Sequence, residues 1–249
     1  MTGPAQLREI ERAAVAAWPA LETAPLGGWL WRYSRGGSNR ANAVACLAPP
    51  GRDADEAIRE AEHRYHALGV AARFQVTDCA EPADLGARLA ERGYEAHDNC
   101  TTLVAPIASQ IAMPSDVRIT ERATDDWLAV YIGTITPDRA AIAPAILKRV
   151  PKASGFVSVH RSGVTLATVL AVVVRDVAIV ECVATAAAAR RQGAARAAVL
   201  GAMAFAAAQG ARVAALGALA TNAPAQALYR GLGFDLAGRY HIRVKDKPA

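Results

Sequence analysis

The sequence predicts a mixed α/β (α+β) fold organised as two related units. Strand-like and helix-like runs alternate along most of the 249 residues, which suits a mixed sheet with helices on its faces. Apolar residues make up 53% of the chain, ample for a large core. Two similar phrases, RGYEA at Arg92 to Ala96 and LGFDL at Leu232 to Leu236, each follow a short helical stretch and hint at an internal duplication. The expected division is residues 1–110 and residues 111–249.

In the first unit, Ala5 to Trp18 reads as an amphipathic helix that Pro19 stops. Gly27 to Ser34 reads as a strand with Trp29, Trp31 and Tyr33 on one face, suited to a sheet core or, with more assumptions, to lining a pocket. Arg35 to Arg40 forms a turn, and Ala41 to Leu47 returns as the second strand of a hairpin. Pro49, Pro50 and Gly51 break the chain before a helix from Asp53 to Leu68, capped by Gly69. A strand from Ala72 to Thr77, a helix from Pro82 to Arg92 and a strand from Tyr94 to Ala105 complete this unit. Pro106 to Ser115 reads as the linker.

The second unit begins with a strand from Val117 to Glu121, helices Thr124 to Gly133 and Ala140 to Val150, and a strand from Gly155 to Arg161. The apolar run from Val164 to Ala189 is interrupted by Arg175, Asp176 and Glu181 and is rich in β-branched residues. It therefore reads as two buried strands, Val164 to Val174 and Val177 to Thr185, rather than a membrane span. Helix Ala194 to Gln209 follows, with Gly210 as its stop. Strand Arg212 to Gly217, helix Ala223 to Arg230 with Asn222 as its N-cap, and strand Ala237 to Val244 close the chain.

Cys46, Cys79, Cys100 and Cys182 show neither CxxC spacing nor companion histidines, so buried thiols are expected and no metal site. No leader pattern opens the chain, and a cytoplasmic location is expected. Residues 1–110 carry 11 Lys and Arg against 14 Asp and Glu, while residues 111–249 carry 17 against 9. The positive second half implies an anionic partner. A nucleic-acid binder would show the same bias, but the interleaving of aromatic and basic residues is lacking, so neither nucleic acid nor membrane is an expected partner.

One stretch inside that half carries chemistry. Arg190, Arg191, Gln192, Gly193, Ala194 and Ala195 link the strand ending at Thr185 to the alanine-rich helix. A strand passing through a glycine-bearing loop into a helix start leaves backbone N–H groups unpaired, at the positive end of the helix dipole. Gly193 lets the backbone approach a ligand, and Arg190, Arg191 and Arg196 add full charges, so the loop reads as a phosphate cradle.

About thirty residues further on, Thr221 to Phe234 reads TNAPAQALYRGLGF. With RRQGAA before it, this pairing resembles the GNAT superfamily of N-acetyltransferases over roughly residues 117–245. The first unit, with GWLWRYSRGGSNRAN, is similar to the N-terminal unit of tandem members, which lacks an acetyl-CoA loop. The resemblance implies that each unit is a mixed, mostly antiparallel sheet with helices on both faces. It also implies acetyl-CoA as co-substrate, a small amine or peptide as acceptor, direct attack in a ternary complex, and a monomer or homodimer. Two departures stand out: Ala195 replaces the usual Gly, and Ile179 falls where the family's general base Glu commonly lies, with Glu181 two residues nearer the loop. An offset of two keeps a side chain on the same face of a strand.

By the same resemblance, Arg190, Arg191, Gln192, Gly193, Ala194 and Ala195 would hold the pyrophosphate, with Arg196 beside them. The backbone of Val183, Ala184 and Thr185 would pair with the pantetheine arm. Tyr229 would be the general acid, two helical turns from Asn222 so that both face one ligand. Glu181 would be the base, directly or through water, or else the partner of a nearby arginine in a buried ion pair. His160 and His241 are reserve bases, and Asp125, Asp126 and Asp138 would either meet a cationic amine or cap helices. A non-catalytic acyl-CoA sensor is the alternative function.

Overall fold

The computed structural model describes residues 2–246, and among them eleven strands join one sheet. The first half contributes β1 (Glu22–Leu26), β2 (Trp29–Tyr33), β3 (Val44–Ala45), β4 (Ala72–Thr77) and β5 (Glu95–Pro106). The second contributes β6 (Val117–Thr120), β7 (Ser154–Arg161), β8 (Val164–Val174), β9 (Val177–Thr185), β10 (Val213–Leu219) and β11 (Asp235–Lys245). Their order is β1-β2-β3-β4-β11-β5-β10-β9-β8-β7-β6. At the centre the halves interlock: β11 lies between β4 and β5, and β5 lies between β11 and β10, all antiparallel. The strands that follow the RGYEA and LGFDL phrases therefore run side by side, each filling a gap in the other half.

Helices cover both faces. On one side α1 (Pro4–Ala17), α4 (Asp125–Ile132) and α5 (Pro137–Leu147) bury Ile10, Ala13, Trp127, Tyr131 and Ile146 against Leu170, Val172 and Ile179. The N-terminal helix thus packs on strands of the second half. On the other side α6 (Ala194–Ala208) and α7 (Ala223–Arg230) bury Ala198, Val199, Met203 and Tyr229 against Val157, Val169 and Val180. A further core joins β1 to β4 with α2 (Ala54–Ala67) and α3 (Leu85–Glu91). Trp29 and Trp31 are buried there, with Tyr33 packed alongside; Trp29 meets Phe74 edge-on at 6.0 Å. The aromatic face is therefore core, not pocket.

Three departures from the expected elements have physical causes. β1 was not anticipated, because Pro25 argues against a strand; it is tolerated since β1 is an edge strand paired only with β2. The expected strand Ala41 to Leu47 shrinks to β3, because Arg40–Asn42 form a turn of 3-10 helix. Asn42 holds that turn: its side chain accepts from Ser34 N at 2.7 Å and donates to Ser38 O at 2.7 Å. The segment after β5 is mostly exposed but anchored at two points, since Ile107 N donates to Arg212 O at 2.8 Å and Ile111 lies against the α6 core. Other boundaries move by no more than three residues. The four cysteines are buried and free, and among the described residues no helix is long and apolar enough to cross a membrane.

Candidate active site

The site starts as a fault in the sheet. β9 and β10 run parallel and pair only from Val177↔Val213 to Ile179↔Ala215. Beyond that point β10 stays with β5 as far as Leu219↔Cys100, while β9 stays with β8 as far as Ala167↔Thr185. The two strands diverge, and the β10-facing edge of β9 from Val180 to Thr185 has no strand partner among the described residues. On the diverging part of β10, Gly217 makes room for Tyr240, since a Cβ there would lie 2.7 Å from Tyr240 Oη.

A bulge sits on the same stretch. Cys182 has φ +54°, and the β8 pairing skips from Leu170↔Glu181 to Thr168↔Ala184. As a result Cys182 and Ala184 join Ile179 on the α1 and α4 side, whereas Val180 and Val183 pack on the α6 side. The simple alternation expected through Thr185 fails here, since the extra residue reverses its parity. Glu181 precedes the bulge, so Ile179 and Glu181 still line the same cleft.

That cleft, about 10 Å³, has room for about one water molecule. Glu181 is 7% exposed at its side chain and accepts from Arg40 Nη2 with both oxygens, at 2.7 Å each. Burial disfavours the charged guanidinium, but the facing Glu181 carboxylate outweighs it and raises the Arg40 pKa. The ion-pair alternative for Glu181 is thus realised, though with an arginine of the first half rather than one nearby in sequence. Glu11, from α1, completes the charged group: Thr102 Oγ1 donates to it at 2.6 Å, and burial raises its pKa. Arg40 and Glu11 were not expected at the site. The one available signal was Glu181 itself, a carboxylate on an apolar strand in need of a cation.

At the far end of the split lies the loop. Arg191 and Gly193 both have positive φ, +60° and +76°, and no side chain caps α6. The first backbone bond of that helix start is Ala197 N to Gly193 O at 3.0 Å. The N–H groups of Ala194, Ala195 and Arg196 are consequently left for an outside acceptor. Arg190, Arg191, Gln192 and Arg196 are exposed around them. Arg161, which sequence reasoning missed, braces the loop by donating to Gln192 O at 2.9 Å and to Asp116 at 2.8 Å. No atom would crowd a Cβ at Gly193, so the need for glycine is conformational. Gly193→Val is expected to cost about 1–3 kcal/mol, read as a lower melting temperature, whereas Gly193→Asn, which tolerates this backbone, is expected to lose little.

Tyr229 is buried on α7 with its ring 5.9 Å from Phe234, and its hydroxyl makes no hydrogen bond among the described residues. Burial, and then the charge of Glu181, push its pKa up to about 12. Asn222 caps α7 by accepting from Ala225 N at 3.2 Å and is exposed. Neither Tyr229, in the α6-side core, nor Asn222 lines the cleft that holds Glu181, and the remaining candidates also lie outside it. His160 bonds Ser158 at 2.8 Å and Thr165 at 3.2 Å. Asp126 is held at about 2 by hydrogen bonds from Thr124 and Thr165. Burial and Arg243 lower the His241 pKa. Asp125 and Asp138 stand in the first turns of α4 and α5.

The chain carries a sheet split after a short parallel pairing, a bulged strand and an uncapped glycine-led helix, and its relatives place it among the GNAT N-acetyltransferases. The fold is shared with a GCN5-related N-acetyltransferase from Kribbella flavida (TM-score 0.72, 18% identity, 100% of this chain and 97% of that one). A tandem GNAT protein from the clavulanic acid biosynthesis pathway matches with TM-score 0.60 and 15% identity, over 80% of this chain and 73% of that one. In sequence, the chain is 28% identical to the uncharacterized N-acetyltransferase YobR of Bacillus subtilis (strain 168), over 96% of this chain and 98% of YobR. Residues 4–243 match the model of the family described as "Probable histone acetyltransferase Rv0428c C-terminal", and the chain belongs to that family of acetyltransferases.

Proposed function

We propose that the protein transfers the acetyl group of acetyl-CoA to a primary amine of a small molecule or peptide, by direct attack in a ternary complex. The observation that carries this reading is the unpaired β9 edge, which runs from the buried Glu181 to the uncapped α6 start and borders Tyr229's core. Acetyl-CoA would supply the thioester: an N–C bond forms and a C–S bond breaks. Arg190, Arg191, Gln192, Gly193, Ala194, Ala195 and Arg196 would bind the pyrophosphate, largely through main chain. Val183, Ala184 and Thr185 would present backbone groups to the pantetheine arm, and the exposed Asn222 would flank it. Glu181 takes the proton from the amine, and Tyr229 gives one to the leaving sulfur. A phenol with pKa near 12 stays protonated at neutral pH, as an acid must. We read residues 1–110 as a related unit without a coenzyme loop of its own, lending Glu11 and Arg40 to residues 111–249.

Coenzyme A release across amines, amino acids and peptide N-termini tests the reading. Tyr229→Phe is expected to lower kcat about 10²-fold with the acetyl-CoA KM nearly unchanged; an unaltered kcat would remove Tyr229 from the mechanism. One observation favours a second reading. Glu181 is tied to Arg40, as it would be in a non-catalytic acyl-CoA sensor. Acetyl-CoA binding with no turnover of any amine would support that sensor.

A further inference from the structure

The Arg40–Glu181 pair occupies the carboxylate that an acceptor amine needs, and what can open that pair says what the acceptor carries. Arg40 is the single cation among the residues lining the cleft, beside the two carboxyls of Glu11 and Glu181. Of its five N–H donors only those on Nη2 are engaged, and both bonds go to Glu181. Nε and Nη1 have no hydrogen-bond partner among the described residues, and the side chain is 19% exposed, so part of its fork is open.

Arg40 Nη2 engages both Glu181 oxygens and the cleft has room for about one water, so an ammonium reaches Glu181 only as the pair parts. A lone amine would leave the guanidinium in the cleft without a counter-charge, an arrangement proteins avoid because the desolvated charge is uncompensated. Glu11 is poorly placed to compensate, because Thr102 holds it and its burial favours the neutral acid. A molecule that brings an anion along with its amine removes the difficulty. Its anion takes Arg40 and its ammonium takes Glu181, so two pairs replace one. The planar guanidinium fork matches a carboxylate in particular.

We infer that the acceptor is a zwitterion, an amine with a carboxylate close by, and that Arg40 determines specificity by binding that carboxylate. This inference rests on the acetyl-transfer reading above. The test follows coenzyme A release from acetyl-CoA with acceptors matched except for a carboxylate: L-lysine and cadaverine, L-ornithine and putrescine, L-phenylalanine and phenethylamine. In the most active pair the amino acid is expected to exceed its decarboxylated partner by about 100-fold in kcat/KM. Arg40→Gln is expected to erase that ratio by raising the KM of the amino acid, and Arg40→Lys to keep part of it. A merely structural Arg40 would slow both members alike. Thermal melts with acetyl-CoA show that each variant is folded, and Arg40→Lys, which keeps the charge, carries the comparison if Arg40→Gln does not fold. Equal or better use of the decarboxylated amine, or an unchanged ratio in the variants, overturns the zwitterion while leaving acetyl transfer in place. Binding of acetyl-CoA with no release from any acceptor overturns both.

Discussion

With Glu181 as the proposed general base, Glu181→Gln is expected to lower kcat by about 10²–10⁴-fold, while acetyl-CoA, the proposed co-substrate, still raises the melting temperature. The amide keeps an oxygen for Arg40 Nη2 to bond but leaves the guanidinium without its counter-charge, so a lower melting temperature is expected beside the loss of the proton acceptor. The defect should shrink as pH rises, because more of the free amine then forms in solution without help. Rates measured from neutral to alkaline pH check this. A variant that turns over as fast as the parent would move the base elsewhere, with Glu11 next in line by position.

Arg40→Ala is expected to destabilise the fold by about 3 kcal/mol, because it strands a buried carboxylate. At this chain length that corresponds to a melting point lower by roughly 6–12 °C. The double variant Arg40→Met with Glu181→Leu should recover most of the loss, since removing both charges leaves nothing uncompensated. Thermal melts of Arg40→Met, Glu181→Leu and the double form a cycle. If the double variant shows the plain sum of the singles, the pair contributes little and Arg40 acts through packing alone. The pair joins residues 141 positions apart, so its loss should also weaken the contact between the first half and the split sheet.

Most elements were legible because their causes are local. The helix from Asp53 follows from an N-cap whose side chain accepts from Asp55 N and Glu56 N. The turn at Arg175, φ +57°, lies between β8 and β9 where charged residues interrupt the apolar run. β4, β8, β9 and α7 span the residues expected of them. The glycine-led start of α6 was legible for the same reason: Gly193, at φ +76°, is a residue type chosen by its own backbone.

What the sequence by itself determined, then, is the run of elements, the glycine-led helix start and the strand that carries Glu181. These depend on periodicity, caps and turns within a few residues. Tertiary structure alone decided which strands share the centre of the sheet, where the bulge at Cys182 falls, and that Arg40 and Glu11 meet Glu181. Strand order reflects pairings between distant segments, and an ion pair spanning 141 residues leaves no periodic trace in either of them. The charge that neutralises Glu181 comes from a turn tied down by Asn42, a contact that exists only once β2 and β3 have paired.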